Sequence, residues 1–342
     1  MENIILSCPF TLTNSTSRVL WEITGNCNLN CSHCLYYNNK KKSLDLTLEQ
    51  MLGILDGIAL DGKIKAIWIS GGEPLLRKDL IPFVQEISKR GIIPSISTNG
   101  TLLTNKMAEE LYEAGVRYVH LSIDGTSAEV HDSMRNTPGA FEAVMRGIDC
   151  LKQNHIKIGA SYMVTWESIY QVSEMIELGL EKGLDVISFY LVAPIGRGAD
   201  INNSREFDLM KALNEAVKPY LNLPNLMIEV FRTVSESQRT DLSVGLMECN
   251  GQCFYTITND GYLASCPWFA KIDSPVKPIC LLENDYSEAV AKILVQMEKY
   301  LDERKNRLLG RCSECEHREN CGMGCPAVSS MDGGDLLCRY LR

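Results

Sequence analysis

The chain has 342 residues, of which 45% are hydrophobic and 23% are charged, which is enough to bury the cores of two or three domains. Its formal net charge of -9 argues against a general nucleic-acid-binding protein, because such proteins need a basic face to neutralise phosphates. No apolar run approaches the roughly 20 residues of a membrane-spanning helix, and the N-terminal residues lack the basic and apolar regions of a secretory signal. We therefore expect a cytoplasmic protein that binds neither nucleic acid nor membranes.

The cysteine content narrows the class of protein further. There are 14 cysteines, a number that would indicate a disulfide framework in a small secreted chain. In a reducing cytoplasm, clustered cysteines more often bind metal. Nine of the 14 lie at or after Cys249, so we expect the C-terminal part to be built around metal rather than around a large apolar core.

Short apolar runs alternate with helical patterns from about residue 18 to residue 200. The predicted strands are Val19–Ile23, Ala66–Ile69, Pro94–Ser97, Tyr118–Ile123, Lys157–Met163 and Val186–Leu191. The predicted helices are Leu48–Leu60, Leu80–Arg90, Lys106–Glu113, Ala140–Gln153 and Ile169–Lys182. Glycines that fit C-terminal helix stops follow at Gly62, Gly91, Gly115 and Gly183. Repeated βα units predict an α/β fold, a parallel sheet that right-handed crossovers curl into a partial (β/α)6 barrel of the TIM type.

The remaining sequence departs from this alternation. Residues 201–246 read as one helix followed by a strand, which we interpret as a bridge between domains. We therefore expect a barrel domain over residues 1–200, a bridging segment over 201–246 and a cysteine-rich domain over 247–342. One helical stretch is predicted inside that last domain, over residues 284–308.

Three cysteines directly after the first predicted strand carry the strongest chemical signal. Cys27, Cys31 and Cys34 follow a C-x3-C-x2-C spacing, and no further cysteine occurs before Cys150. Three thiolates can hold three irons of a four-iron cluster and leave the fourth iron open to a ligand. Taken alone, the triplet could also supply three ligands of a zinc site.

Polar and glycine-rich motifs follow the next three predicted strands. They are the runs 70–74 (SGGEP), 97–100 (STNG) and 122–125 (SIDG). Because active residues of such barrels lie at the carboxyl ends of the strands, we expect these motifs and the cysteine triplet to meet at one face. Each motif alone could be an ordinary turn, since glycine, proline, asparagine and aspartate are typical of turns.

Together these residues resemble the radical S-adenosylmethionine (radical SAM) superfamily. That family carries C-x3-C-x-Φ-C, with an aromatic residue at Φ where this chain has His33, and a GGEP-type motif that matches Gly71–Pro74. The resemblance covers residue 18 to about residue 200. It implies a [4Fe-4S] cluster on the three cysteines, with the amine and carboxylate of S-adenosylmethionine on the open iron. It also implies a 5′-deoxyadenosyl radical that abstracts a substrate hydrogen.

The resemblance also implies roles for the residues that bind S-adenosylmethionine. Gly71 and Gly72 would let the backbone approach the methionine end closely, and Glu73 would order this turn or accept a hydrogen bond from the amine. The remaining candidates for contacts with the ribose, amino group, carboxylate or adenine are His33, Pro74, Asn99, Ser122, Asp124 and Arg135. For Asp124 a turn-forming role before Gly125 is an equal alternative. Arg135 belongs to an HDxxR stretch and could pair with a carboxylate in bidentate fashion.

The C-terminal cysteines resemble a SPASM domain, which carries two auxiliary [4Fe-4S] clusters in enzymes that modify peptides and proteins. By that resemblance one cluster takes Cys249, Cys253, Cys266 and Cys325, and the other takes Cys312, Cys315, Cys321 and Cys338. Three [4Fe-4S] clusters are then expected, one of them radical-generating. Zinc is the alternative for this domain taken alone.

A SPASM resemblance implies a ribosomally made peptide substrate, and our leading prediction is an oxidative crosslink that removes two hydrogens. The alternative is a peptide epimerase with a cysteine hydrogen donor, for which Cys253 and Cys280 are the candidates. A sulfatase-maturase type of oxidation is disfavoured because Pro267 follows Cys266 where those enzymes carry an aspartate. A non-enzymatic iron–sulfur electron carrier is a further alternative.

The expected partners follow from that reading. They are the precursor peptide and an external electron donor of the flavodoxin or ferredoxin type. About 17 residues precede the first strand, too few for a leader-binding domain. A leader would therefore be held by the barrel, by the bridging segment or by a separate protein.

Overall fold

The computed structural model describes residues 18–36, 44–193, 195–201, 206–231 and 255–306. Ten strands form one sheet in the order β10-β9-β8-β1-β2-β3-β4-β5-β6-β7. They are β1 Arg18–Glu22, β2 Ala66–Ser70, β3 Ile93–Thr98, β4 Tyr118–Ser122, β5 Lys157–Val164, β6 Val186–Leu191, β7 Met227–Phe231, β8 Tyr255–Ile257, β9 Tyr262–Ala264 and β10 Ile279–Cys280. The helices are α1 Leu48–Asp61, α2 Leu80–Lys89, α3 Asn105–Glu113, α4 Ala128–Arg135, α5 Ala140–Gln153, α6 Val172–Lys182, α7 Glu206–Val217 and α8 Tyr286–Asn306.

The sheet is mostly parallel, and the α/β prediction is confirmed at that level. Neighbouring strands from β1 to β7 all pair in parallel, and each of the six predicted strands appears with bounds that shift by no more than about a residue. Two further strands extend the parallel part. β7, from the predicted bridge, pairs with β6, and β8, from the cysteine-rich part, pairs with β1. This one sheet therefore receives strands from all three predicted segments.

The parallel strands turn an apolar face to the helices and a polar face inward. Trp21 of β1 is fully buried and meets Phe83 of α2 edge to face, with ring centroids 5.1 Å apart. Its neighbour Glu22 points to the opposite side and lies level with Ser70 of β2. On the same inner face Ser188 donates a 2.8 Å hydrogen bond to Glu229. A polar inner face is typical of a sheet that lines a ligand site rather than one covered by apolar layers.

The helix ends agree with the glycines chosen from the sequence. Gly62 and Gly183 cap α1 and α6 in the left-handed conformation, with φ of 69° and 63°. Thr47 starts α1 with a capping box that it forms with Gln50. One helix, α4, was not predicted. No helix in the described ranges combines the length and the apolar character needed to cross a membrane.

Candidate active site

The cysteine triplet lies in a loop that leaves the carboxyl end of β1. Cys31 is buried, Cys34 is half-buried and Cys27 is exposed. The segment after β6 holds this loop, because the Arg197 backbone N–H donates a 3.1 Å hydrogen bond to the Cys34 carbonyl. Gly196 has a φ of 62°, and a Cβ there would lie 2.4 Å from the same carbonyl oxygen, so only glycine fits this crossing.

The thiols need a nearby positive charge to act as ligands. Burial raises the pKa of both Cys27 and Cys31, and a raised pKa disfavours the thiolate. Arg135 opposes this effect at Cys31, where a guanidinium nitrogen lies 3.5 Å from Sγ. A bound metal deprotonates its thiol ligands outright, so iron would supply the remaining stabilisation.

A turn of residues 71–74, the glycine turn, packs against the cysteine loop through its backbone. The Gly72 N–H donates to the Thr24 carbonyl at 2.7 Å, and the Glu73 N–H donates to the Asn26 carbonyl at 2.8 Å. A Cβ on Gly71 would lie 2.4 Å from the Thr24 oxygen, and one on Gly72 would lie 2.1 Å from the Asn26 oxygen. The motif therefore requires glycine at both positions for steric reasons.

Glu73 is wholly buried, and its carboxylate holds the glycine turn in place. Its carboxylate accepts hydrogen bonds from the Leu75 N–H at 3.0 Å, the Thr98 hydroxyl at 2.6 Å and the Asn99 N–H at 2.8 Å. Burial raises the pKa of Glu73 despite these three donors. Both carboxylate oxygens therefore accept hydrogen bonds from protein groups. Pro74, the next residue, begins a short 3-10 turn.

The Asn99 side chain joins the third strand end to the cysteine loop. Its amide nitrogen donates to Asn28 at 2.9 Å, while its oxygen accepts from the backbone and hydroxyl of Thr101. Asn99 is 7% exposed, so most of its amide is held by protein. Ser122 ends β4 on the inner face, half-buried and level with Ser161 of β5.

The opposite side of the site is formed by Asp124, Arg135 and His33, which we call the ionic wall. Arg135 contacts the Asp124 carboxylate at 2.6 Å, and His33 Nε2 lies 3.4 Å from the same oxygen. The other carboxylate oxygen accepts a 3.0 Å hydrogen bond from the Met163 N–H. Burial alone would raise the pKa of Asp124, but Arg135 and the neighbouring imidazoles outweigh it and hold the pKa below its usual range.

Helix α4 contains the HDxxR stretch and positions the side chains of the ionic wall. His131 Nδ1 accepts a 3.1 Å hydrogen bond from the Asp124 N–H, which requires a neutral ring, and burial lowers the pKa of His131 to about 4. Asp132 accepts from the Gly139 and Phe141 N–H groups and so connects α4 to the start of α5. The sequence had marked these residues as a motif without assigning them to a helix.

Three side chains that the sequence did not single out meet Ser70 of the 70–74 motif at the mouth of the site, by the carboxyl ends of β1 and β2. This mouth cluster consists of Glu22, Ser70, Tyr36 and Lys271. Lys271 contacts Glu22 at 2.5 Å and lies over the Tyr36 ring, 4.9 Å from its centroid, while the Tyr36 hydroxyl lies 3.4 Å from the Ser70 hydroxyl. The only sequence signal was an acidic residue inside the apolar run 19–24.

The other predicted cysteines fall into two groups. Cys266 is buried two residues after the end of β9. Cys280 is the last residue of β10, which lies at one end of the sheet. Since β8 and β9 separate β10 from β1, Cys280 lies three strand spacings from Glu22, a path of about 14 Å along the sheet. The rest lie outside the described residues: Cys249, Cys253, Cys312, Cys315, Cys321, Cys325 and Cys338.

The described residues fit an iron–sulfur cluster with S-adenosylmethionine. The donor set is three cysteines beside a glycine turn whose first two residues, Gly71 and Gly72, lack a Cβ. The buried Arg135 Nε finds no hydrogen-bond acceptor among the described residues, so it remains available for a carboxylate. Within the same residues, no three His, Cys, Asp or Glu side chains converge as ligands of one metal ion.

Comparisons with known proteins bear on this arrangement. The family model of the radical SAM superfamily matches residues 21–190. The AdoMet-dependent heme synthase of Nitratidesulfovibrio vulgaris is 30% identical over 349 aligned residues, which cover 94% of this chain and 92% of that protein. The chain belongs to the radical SAM superfamily. As a member it is an enzyme, which sets aside the electron-carrier alternative.

Two further known proteins are similar to this radical SAM enzyme over nearly its whole length. The mycofactocin maturase MftC of Mycolicibacterium smegmatis is 26% identical and is covered to 83%, with 97% of this chain aligned. SuiB of Streptococcus suis, solved with bound S-adenosylmethionine, has a similar fold, with a TM-score of 0.75, 16% identity and coverage of 95% of this chain and 77% of SuiB. SuiB has also been solved bound to its precursor peptide SuiA. The heme synthase and maturase names point to different substrate classes.

Proposed function

We propose that this enzyme forms an oxidative crosslink in a ribosomally made precursor peptide. The observation that carries the proposal is the contact between Lys271 and Glu22. Lys271 lies five residues after Cys266, the proposed ligand of an auxiliary cluster, and Glu22 lies five residues before Cys27. An electron acceptor held by Cys266 would therefore lie near the place where the substrate radical forms, as an oxidation requires.

In this proposal the described residues hold the cofactors. Cys27, Cys31 and Cys34 ligate the first [4Fe-4S] cluster, and the backbone of the glycine turn accommodates the methionine end of S-adenosylmethionine. When bound, the cofactor supplies the 5′-deoxyadenosyl radical that abstracts a substrate hydrogen. Arg135 offers its Nε to the methionine carboxylate and is held in place by Asp124. Asn99, Ser122 and His33 line the remaining edge for the ribose and adenine.

The C-terminal part would be a SPASM domain with two auxiliary [4Fe-4S] clusters, assigned to the two cysteine sets given above. Of those eight residues, Cys266 lies in the described part, buried at the start of a turn in which its carbonyl accepts from the Ala270 N–H. Iron analysis after anaerobic reconstitution tests this count: three clusters correspond to about 12 irons per chain and one cluster to about 4.

A tetrapyrrole substrate is the second candidate, favoured by the heme synthase that aligns over more than nine tenths of both chains. The charges of the inner face favour the peptide instead. Glu229 places a buried carboxylate there, Lys271 neutralises a second one at Glu22, and the chain carries a net charge of -9. A tetrapyrrole that carries several carboxylates would be repelled by this excess of negative charge, whereas a peptide with neutral or basic side chains would not.

Epimerisation receives less support from the described residues. A hydrogen donor must reach the substrate carbon opposite the radical, yet Cys280 stands about 14 Å from Glu22 along the sheet. Cys253 lies outside the described residues and remains a candidate by sequence.

The deciding experiment incubates the reconstituted enzyme with the short peptide encoded nearest its gene, S-adenosylmethionine and reductant, in heavy water. A flavodoxin or ferredoxin replaces the chemical reductant in a parallel reaction, and a separate leader-binding protein is added if the locus encodes one. Loss of two hydrogens from the peptide, measured by mass spectrometry after back-exchange, is the expected result. Gain of one deuterium would mean epimerisation, and turnover of an iron porphyrin in place of the peptide would favour the tetrapyrrole.

A further inference from the structure

We propose that Glu22 and Lys271 together accept the proton that the substrate releases when its radical is oxidised. This inference rests on the proposed oxidative function and assigns it a proton acceptor. Neither residue belongs to the cysteine loop, the glycine turn or the ionic wall.

Glu22 is a buried carboxylate with one oxygen in use. It is 1% exposed, and its Oε2 contacts the Lys271 ammonium at 2.5 Å. Its Oε1 is buried too, and the described residues provide no hydrogen-bond donor for it. An ionised carboxylate in such surroundings is costly unless every oxygen is satisfied, so a second oxygen without a donor indicates a group that is needed for more than a structural contact.

Lys271 is the more accessible member of the pair. Its side chain is 17% exposed, and its ammonium carries three hydrogens, only one of which is needed by Glu22. The turn that carries it is rigid: Phe269 is 1% exposed and meets Tyr300 of α8 edge to face, and the Lys271 N–H donates to the Trp268 carbonyl at 2.9 Å. The ammonium therefore lies at the mouth with two hydrogens that the contact with Glu22 does not require.

The groups around Glu22 favour uptake of a proton. Burial raises the pKa of Glu22, Lys271 opposes this rise, and Asp260 adds to it. Tyr36 and Ser70 complete the surroundings as neutral hydroxyls, since burial raises the pKa of Tyr36 as well. A carboxylate whose pKa is raised by burial and which contacts an ammonium suits a transient proton acceptor.

The step balances as follows. The substrate carbon gives one hydrogen atom to the cofactor-derived radical. The resulting carbon radical then bonds to a nucleophilic atom of the same peptide, whose hydrogen leaves as a proton. One electron would pass from the peptide to a one-electron oxidant, for which we name an oxidised [4Fe-4S] cluster that Cys266 would help to hold. The proton passes to Lys271 while a Lys271 proton passes to Glu22, so the net change in the protein is one carboxylate converted to a carboxylic acid.

The test compares Glu22→Gln and Lys271→Met with wild type under anaerobic single-turnover conditions. The two measured quantities are 5′-deoxyadenosine and crosslinked peptide. Hydrogen abstraction precedes proton release, so 5′-deoxyadenosine should form at a rate within about twofold of wild type. The yield of crosslink per 5′-deoxyadenosine should fall on the order of 100-fold, the usual contribution of a general base. Glu288→Gln, which breaks an exposed ion pair with Lys292 on α8, is the matched control and should change neither quantity.

Chemical rescue separates a proton acceptor from a structural contact. Added primary amines should restore part of the crosslink yield in Lys271→Met, because a diffusible base can replace the missing one. Parallel losses of 5′-deoxyadenosine and crosslink, without rescue, would overturn the proposal in favour of a structural role. Unchanged yields in both variants would also overturn it. A wild-type enzyme that makes 5′-deoxyadenosine yet never oxidises a peptide would instead overturn the proposed function, and this inference with it.

Discussion

The two sides of the site are built by different forces. The glycine turn is held by backbone hydrogen bonds and by contacts too close for any Cβ, as at Gly72, where an added carbon would lie 2.1 Å from an oxygen. The ionic wall is held by charge: the buried Arg135 and Asp124 side chains lie 2.6 Å apart, with a neutral His33 beside them. The first side should therefore respond to changes in size and the second to changes in charge and pH.

The largest expected effect comes from adding one carbon to the glycine turn. Gly72→Ala should abolish S-adenosylmethionine binding, because the backbone must move away from Asn26 to relieve the clash. Gly53→Ala is the matched control: Gly53 lies inside α1, and its added Cβ would meet nothing within 4 Å. This control should be neutral or stabilising by about 0.5–1 kcal/mol, since alanine favours helix over glycine. Calorimetric titration with S-adenosylmethionine measures the contrast, and equal binding by both variants would contradict the steric account.

The glycine turn was also the easier side to predict from sequence. Its residues are contiguous, and glycines followed by proline have few conformations other than a turn. The βα alternation was equally readable, and the bounds of β6 and α5 were predicted without error because apolar periodicity marks them clearly.

The ionic wall and the mouth cluster depend on contacts that no local pattern contains. Helix α4 has the sequence AEVHDSMR, which is short and lacks the apolar repeat by which helices are recognised. Without that helix the pairing of Asp124 with Arg135 could not be foreseen, and both were predicted as ligands of the nucleotide. The pair of Glu22 and Lys271 joins residues 249 positions apart, so only the folded sheet brings them together.

Two charge-changing substitutions should shift the reduction potential of the first cluster in opposite directions. Arg135→Met removes a positive group 3.5 Å from the Cys31 sulfur, so the reduction potential should fall, because reduction adds negative charge. Asp124→Asn removes the anion that neutralises Arg135, so the potential should rise. A change of about 60 mV corresponds to 1.4 kcal/mol for one electron. Each variant also breaks a buried ion pair and should lower the free energy of unfolding by about 3–5 kcal/mol.

Anaerobic redox titration followed by electron paramagnetic resonance measures both potentials. The control is Asp56→Asn, which removes one partner of an exposed ion pair with Arg90 on the helical face. It should leave the potential unchanged. Shifts of the same sign in the two ionic-wall variants would indicate that general loosening of the site, rather than charge, sets the potential.

The smallest expected effect is the acid sensitivity that His131, which lies against the ionic wall, contributes to folding. Burial holds the pKa of His131 at about 4 in the folded protein, against about 6.5 when unfolded. Because the unfolded chain binds the proton more readily, the stabilisation is complete above pH 6.5 and is lost as the pH falls towards 4. The total loss from this one group is at most about 3.4 kcal/mol, with a slope of no more than about 1.4 kcal/mol per pH unit.

His131→Asn keeps an acceptor for the Asp124 N–H but cannot titrate, so denaturant unfolding of this variant between pH 7 and 4.5 should have a shallower pH dependence than wild type. His155→Asn, at an exposed turn, should retain the wild-type slope. If His131→Asn retained that slope as well, the acid sensitivity would have to come from other buried groups, and the neutral imidazole beneath Asp124 would not be what stabilises this side of the site.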